Sequence, residues 1–281
     1  MKVENRIKEV RETIKEWKKE GLTVGLVPTM GFLHEGHESL IKKAVDENDK
    51  VVVSIFVNPI QFGPKEDLES YPRDLEKDTK LCLDAGADLI FNPDKEQMYF
   101  EDFCTIVNME GLTENLCGKS RPIHFAGVCT VVSKLFNIVI PDKAYFGQKD
   151  AQQLAVIKRM VRDLSVDVEI VGCPIIREED GLAKSSRNTY LNKEERKVAT
   201  ILNKSLKLAK ESLEKGERNS NNVIKLIKNT IDSERLAKIS YVQVVDAMSM
   251  ADVHEINSSI LVAIAIYIGK TRLIDNFTFE M

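Results

Sequence analysis

His34 and His37 stand three residues apart in the stretch VPTMGFLHEGHESL, with Gly36 between them. If His37 occupies the first turn of a helix, His34 projects from the same side, beside the unpaired main-chain N–H groups of the helix end. Two imidazole donors at a positive dipole end make an anion site, and Gly36, with no side chain, lets a phosphate come close to the backbone. The plainer reading of the same four residues is a pair of unrelated surface or capping histidines. A metal is not expected, because the spacing is not the i, i+4 pair of a zinc-protease helix and no third ligand is apparent.

Three further stretches carry usable chemistry. In FVNPIQFGPKEDLESYPRD, Asn58 and Gln61 are amides able to hold a polar substrate without adding charge, although Asn-Pro and Phe-Gly-Pro are also ordinary turn sequences. In AYFGQKDAQQL, Gly147, Gln148, Lys149 and Asp150 sit at a strand-to-helix junction, with Gln153 one helical turn beyond. Lys149 can neutralise phosphate charge, and Asp150 can cap the helix or accept hydrogen bonds from a ribose. In IIREEDGLAKSSRNTYL, Lys184, Ser185, Ser186 and Arg187 follow an acidic, glycine-containing turn. Hydroxyls and cations on one mobile loop suit a polyphosphate that must be neutralised as it leaves, and an exposed interdomain linker has the same composition.

The elements between these stretches decide where they lie. Val3, Ile7, Val10, Ile14 and Trp17 form one stripe of an amphipathic helix that Gly21 ends. A strand over 22–27, stopped by Pro28, a helix over 38–46 and a strand over 51–57 follow, and the last is apolar almost without alternation, as in a parallel strand covered on both faces. Helices over 75–85, 127–138 and 151–164 alternate with the short strands ADLIF, KAYF and VDVEIV. Such alternation predicts an α/β domain, a Rossmann-like doubly wound parallel sheet over 1–175. The histidine pair then falls at the carboxyl end of the first strand, where such sheets bind nucleotides. Over 176–281 the pattern changes to a charged helix ending near Gly216, a second helix over 221–239 and strands over 241–245, 260–268 and 272–279, a smaller C-terminal α+β domain. There is no internal repeat and no low-complexity segment.

Composition bounds the function. A chain of 281 residues suggests two domains, and 43% apolar with 30% charged residues is an ordinary folded composition. A net charge of -4 argues against coating a nucleic acid. The longest apolar run, over 260–268, is half of what a bilayer span needs, so no membrane partner is expected. The first residues, MKVENRIKEVRETIKEW, lack the apolar core of a secretory signal and carry acids that a transit peptide avoids. Five cysteines, never closer than twelve positions, write neither a disulfide framework nor a zinc pair, and read as reduced thiols of a cytoplasmic protein.

Taken jointly, PTMGFLHEGH, SIFVNPIQF, YFGQKDAQQL, DGLAKSSRN and RPIHFAGVCTVVSKLFNIV resemble the pantoate–β-alanine ligase (pantothenate synthetase) family, in that family's order and spacing over 22–191. The C-terminal 90 residues agree mainly in length and pattern. The resemblance places the chain among the HxGH nucleotidyltransferases and class I aminoacyl-tRNA synthetases. It implies a Rossmann-type domain followed by a small C-terminal lid, a homodimer, and the use of ATP with Mg²⁺. It further implies that the carboxylate of pantoate attacks the α-phosphate of ATP to give pantoyl adenylate and pyrophosphate, after which β-alanine displaces AMP. By matching motif position, His34 and His37 would contact the ATP phosphates, with His37 as general acid or electrostatic stabiliser. Lys149, Ser185, Ser186 and Arg187 would complete a phosphate clamp, with Gly147 and Asp150 at the ribose. Met30 and Ile176 would line the pantoate and nucleotide regions, and Gln61 and Gln153 would hold pantoate with Asn58 in support.

Lys184 stands where the family usually has Met, which means either an added contact to pyrophosphate or a side chain turned to solvent. His124, in the RPIHFAGV segment, is as readily structural or a dimer contact as catalytic, and His254 reads as structural or exposed. A nucleotidylyltransferase of the HxGH type is the competing reading. Its phosphorylated acceptor calls for added basic residues, whereas Gln61 and Gln153 are neutral amides. A non-catalytic ATP sensor would keep the adenosine contacts without the clamp. The expected partners are therefore the small molecules pantoate, β-alanine and ATP, and no nucleic acid.

Overall fold

The computed structural model describes residues 1–64 and 66–281. Two compact units emerge, Met1–Glu110 with Arg121–Pro174, and Gly111–Ser120 with Ile175–Met281. The second unit thus takes ten residues from the first half of the chain besides those after 175, a membership that reading along the chain does not reveal.

In the first unit the elements run β1 (Lys2–Glu4), α1 (Ile7–Lys19), β2 (Val24–Thr29), α2 (Glu35–Glu47), β3 (Lys50–Ile55), α3 (Leu75–Asp84), β4 (Leu89–Phe91), α4 (Lys95–Met98), then, after α5 (Leu116–Ser120) of the second unit, α6 (His124–Val139), β5 (Lys143–Gly147), α7 (Ala151–Asp163) and β6 (Glu169–Cys173). The six strands form one parallel sheet in the order β1-β4-β3-β2-β5-β6. Strand order reverses between β2 and β5, and the crevice beyond the carboxyl ends of such a pair is where open α/β sheets bind ligands. One face of the sheet buries Val27, Val51, Val53, Ile55 and Ile90 against Leu40, Ile41 and Ala44 of α2 and Cys82 of α3. The period-two spacing of the strand residues and the i, i+4 spacing within α2 meet there. Helix α6 packs on β2, with α1 and α7 against it.

Two residues of this unit, Val3 and Pro28, behave otherwise than the sequence suggests. Val3 is not on the first helix; it lies in an edge strand whose Lys2, Val3 and Glu4 pair with Leu89, Ile90 and Phe91. Pro28 does not stop β2, which continues to Thr29. Even-numbered residues of β2 turn their main-chain groups to β5, as the bond from Asp142 N–H to Val24 O records, and odd-numbered ones to β3, as Phe56 N–H to Thr29 O records. Pairing with β5 is confined to Gly25 and Leu26, so at Pro28 the missing N–H has no ladder to break.

The second unit holds α5, α8 (Lys193–Val198), α9 (Ile201–Glu214), α10 (Ser220–Ile231) and an antiparallel sheet β7-β8-β9 (Ala237–Asp246, Ile260–Ile268, Thr271–Phe279). Its core sets Leu202, Leu206, Leu213, Val223 and Ile227 against Val262, Ile264 and Ile266. The single charged helix expected after Leu191 is broken into α8 and α9, and the second helix ends at Ile231, where β7 takes over residues 237–239. Among the described residues no helix is long and apolar enough to cross a membrane, and all five cysteines are free thiols.

Candidate active site

The loop between β2 and α2 is shaped by one carboxylate. Asp78 on α3 is buried and accepts the main-chain N–H groups of Phe32 at 2.8 Å and Leu33 at 2.6 Å. Gly31 and Phe32 both take positive φ, 85° and 51°. A Cβ on Gly31 would come within 3.0 Å of both Asp78 Oδ2 and Ile55 Cγ2, so glycine is required on two counts. Thr29 closes the start of the loop, its hydroxyl donating to Ser54 O at 2.7 Å and accepting from Gly31 N–H at 3.2 Å.

This loop delivers His34 as the N-cap of α2, with His37 at the third helical position. The two cap each other: His34 Nδ1 accepts Gly36 N–H at 3.1 Å, and His37 Nδ1 accepts His34 N–H at 3.3 Å. The sequence offers Gly36 as a place for phosphate to meet the backbone, but its amide is already taken by His34. The amides of His37 and Glu38 return to His34 O at 2.8 and 3.0 Å. What the helix end presents is therefore imidazole. With both Nδ1 atoms accepting, the proton of each neutral ring is on Nε2. The rings lie 4.1 Å apart between centroids. Burial, then the neighbouring His34, then Lys149 hold the His37 pKa well below the ordinary imidazole value. His37 is therefore neutral near pH 7, an Nε2–H donor rather than a fixed cation.

Lys149 is half-buried in the 3₁₀ turn Gln148–Asp150 that follows β5 at the sheet's reversal point. Asp150 is the N-cap residue of α7 but makes no side-chain capping bond, so of its two expected roles the capping one is not realised. Gly147 ends β5, and Gln153 is half-buried in the first turn of α7.

Beyond β3, Asn58 and Gln61 flank the 3₁₀ turn Pro59–Gln61, and both are buried. Asn58 Nδ2 donates to Gln61 Oε1 at 3.0 Å and to Gly127 O at 3.1 Å, while its Oδ1 accepts the Tyr99 hydroxyl at 2.7 Å. Gln61 Nε2 donates to Met30 Sδ at 3.2 Å, which joins the stretch after β2 to the stretch after β3. Helix α6 approaches so closely that a Cβ on Gly127 would lie 2.5 Å from Gln61 Cα. His124, whose role the sequence leaves open, is buried there with Nδ1 3.2 Å from Gln61 O and Nε2 3.1 Å from Arg121 Nη1. Its pKa is pushed down to about 4, first by burial and then by Arg121. Because Gln61 O can only accept and Arg121 can only donate, the neutral ring carries its proton on Nδ1. Arg121 is in turn held bidentately by Glu66, which also accepts Gly63 N–H at 2.9 Å.

In the second unit, Ile176 and Lys184 are joined by Lys184 N–H to Ile176 O at 2.9 Å, closing a turn in which Arg177 and Ala183 pair across Gly181. Arg177 fixes that turn, donating to Gly181 O at 3.0 Å and bidentately to the buried Asp275 at 2.7 and 2.9 Å. Ser185 then caps the 3₁₀ turn Ser186–Tyr190, accepting Arg187 N–H at 3.3 Å. Asn188 ties the turn back to Glu178 and Ala183 O at 3.0 and 3.1 Å. The stretch is thus a hydrogen-bonded turn and not the exposed linker that its composition also allows. Ser186 is buried, while Lys184, Ser185 and Arg187 are half-buried.

A sequence profile described as Pantoate-beta-alanine ligase matches residues 2–278. The chain belongs to that family. Among its ligase relatives, the pantothenate synthetases of Enterococcus faecalis and Clostridioides difficile are 69% and 67% identical over 275 residues, 98% of each chain. The solved pantoate-beta-alanine ligase of Thermus thermophilus superposes with a TM-score of 0.94 at 44% identity, covering 99% of both chains. That of Francisella tularensis, complexed with beta-gamma ATP and β-alanine, superposes at 0.80 with 36% identity, over 99% of this chain and 97% of its own.

In this ligase the first unit therefore brings together His34 with His37, and Met30 with Gln61 and Asn58, while the second unit brings together Ile176 and Lys184. Sequence reasoning misses Asp78, Tyr99 and Gly127, which hold the groups of the first unit. Asp78 leaves a trace, since it stands four residues before the buried Cys82, an acid on the inward stripe of α3. Tyr99 leaves none.

Proposed function

We propose that this ligase activates pantoate as an acyl adenylate and then passes the acyl group to β-alanine. A carboxylate oxygen of pantoate attacks the α-phosphorus of ATP, the bond to the bridging oxygen of the β-phosphate breaks, and pyrophosphate leaves with the electron pair. The amine of β-alanine then attacks the acyl carbon, the C–O bond to AMP breaks, and the ammonium loses its proton. Neither step calls for a protein nucleophile; both call for charge neutralisation and alignment.

The observation that carries this reading is the reciprocal His34–His37 cap at the carboxyl end of β2. It fixes both rings as Nε2–H donors, which suits phosphoryl oxygens whose charge grows as pyrophosphate departs. Lys149 adds a cation at the end of β5, and Gly147 and Asp150 take the ribose. Asp150, exposed and not committed to capping, supports that role. Gln61 and Gln153 hold the pantoate oxygens, with Met30 and Asn58 beside Gln61. Ser185, Ser186, Arg187 and Lys184 supply hydroxyls and cations to the polyphosphate, and Ile176 borders the nucleotide.

Mg²⁺ enters as part of the ATP substrate. Mg²⁺ dehydrates reluctantly and commonly rides on substrate phosphate oxygens and water, which is the role it takes in this reading. The family resemblance supports a homodimer, and the reduced thiols agree with a cytoplasmic setting. Pyrophosphate release from ATP, followed with pantoate alone and then with β-alanine added, tests the reading. Release stimulated by pantoate supports it, and release that neither pantoate nor the pair stimulates overturns it.

A further inference from the structure

The Gly127 carbonyl can only accept, so the amide of Asn58 must turn Nδ2 toward it, 3.1 Å away. The second Nδ2 proton then faces Gln61 at 3.0 Å, and only Oε1 of Gln61 can receive it. Gln61 is left with Nε2 on the side away from Asn58, toward the weak acceptor Met30 Sδ. The last position on Asn58, Oδ1, is filled by the hydroxyl of Tyr99 at 2.7 Å. Tyr99 is buried and wedged edge-on against Phe103, with ring centroids 4.8 Å apart, and because Asn58 Oδ1 can only accept, the Tyr99 hydroxyl is the donor.

We infer that Tyr99 is a positioning residue for the acid substrate: through Asn58 it locks the Gln61 amide with its N–H face outward, so that the subsite selects oxygen acceptors. This rests on the proposal that Gln61 holds pantoate. The chain Tyr99 O–H, Asn58, Gln61 has one consistent sense of donation: turning the Asn58 amide over would set its Oδ1 against Gly127 O and, with Gln61 unmoved, against Gln61 Oε1. A Gln61 with its N–H groups outward pairs with carboxylate or hydroxyl lone pairs and repels an ammonium or amide donor at the same place.

The test is steady-state kinetics of Tyr99→Phe, Gln61→Ala and the double variant, with KM measured separately for pantoate and ATP. Tyr99→Phe should raise the KM for pantoate about tenfold, the size of a hydrogen bond whose acceptor is left buried and unpaired. The KM for ATP should stay within twofold, and kcat should change less than about threefold. In the Gln61→Ala background the same change should have no further effect on the pantoate KM, which a merely structural role of Tyr99 would not produce. An unchanged pantoate KM in Tyr99→Phe, or equal loss for both substrates, overturns the inference. If Gln61→Ala itself leaves the pantoate KM unchanged, the underlying assignment of Gln61 fails instead. Circular dichroism and melting of Tyr99→Phe separate either result from loss of fold.

Discussion

The Nδ1 atom of His37 accepts the main-chain N–H of His34, while His34 Nδ1 accepts that of Gly36, so each imidazole is held by the turn it helps to close. The arrangement has the logic of a capping box, with two rings in place of a hydroxyl and a carboxylate. Its consequence is chemical: both rings are oriented before any substrate arrives, and the reorganisation that solvent would need is already complete.

His37→Ala should lower kcat by about two to three orders of magnitude while unfolding at the wild-type temperature within a few degrees. Because the His37 pKa is depressed in the free protein, the wild-type kcat/KM for pantoate should not fall as pH drops through 6.5, and its acid limb should lie lower. A pH–rate profile with a limb at the ordinary imidazole value contradicts the neutral-donor role. Lys149→Ala should likewise lower kcat without loss of fold.

Asp78 makes a second prediction. Asp78→Ala leaves the N–H groups of Phe32 and Leu33 unmatched in a buried place and should cost about 1 to 3 kcal/mol of stability. It also frees the loop that delivers His34, so kcat should fall more than the KM for pantoate rises. Urea unfolding and steady-state kinetics on one preparation check both. Full activity in a destabilised variant would make Asp78 purely structural.

The buried His124 governs part of the acid sensitivity. With a folded pKa of about 4 against an ordinary value near 6.5, the unfolded chain takes up a proton first as pH falls. Stability should therefore be unaffected by this group above pH 6.5 and decline between about 6.5 and 4, by about 3 kcal/mol in all. His37 adds a loss of the same sign. His124→Gln should flatten the decline, read as the difference between the two unfolding free-energy curves against pH; parallel curves would remove His124 from it.

What the sequence makes legible here is what periodicity and residue chemistry encode locally. The apolar strand over residues 51–55, the amphipathic helices and the reactive side chains at strand ends are all of that kind. What it hides depends on partners far along the chain. Val3 reads as helical because its stripe fits, yet β4, more than eighty residues on, recruits it into the sheet. Pro28 reads as a stop because the missing β5 ladder at that point is a property of the sheet. The stretch 111–120 is assigned to the second unit by contacts such as Leu116 N–H to Gln243 Oε1 at 2.8 Å, which no local pattern announces. Among the candidate residues, His34 and Gln61 are visible by type, whereas Asp78 and Tyr99, which hold the loop before the one and the Asn58 partner of the other, act through bonds spanning 41 to 46 residues.

An acyl adenylate formed before the amine acts requires that ATP and pantoate suffice for the first chemical step on this chain. Exchange of labelled pyrophosphate into ATP, measured with pantoate present and β-alanine absent, tests it most directly. The expected result is exchange that depends on pantoate and is abolished by His37→Ala. Exchange that appears only when β-alanine is added would contradict an acyl adenylate formed before the amine acts.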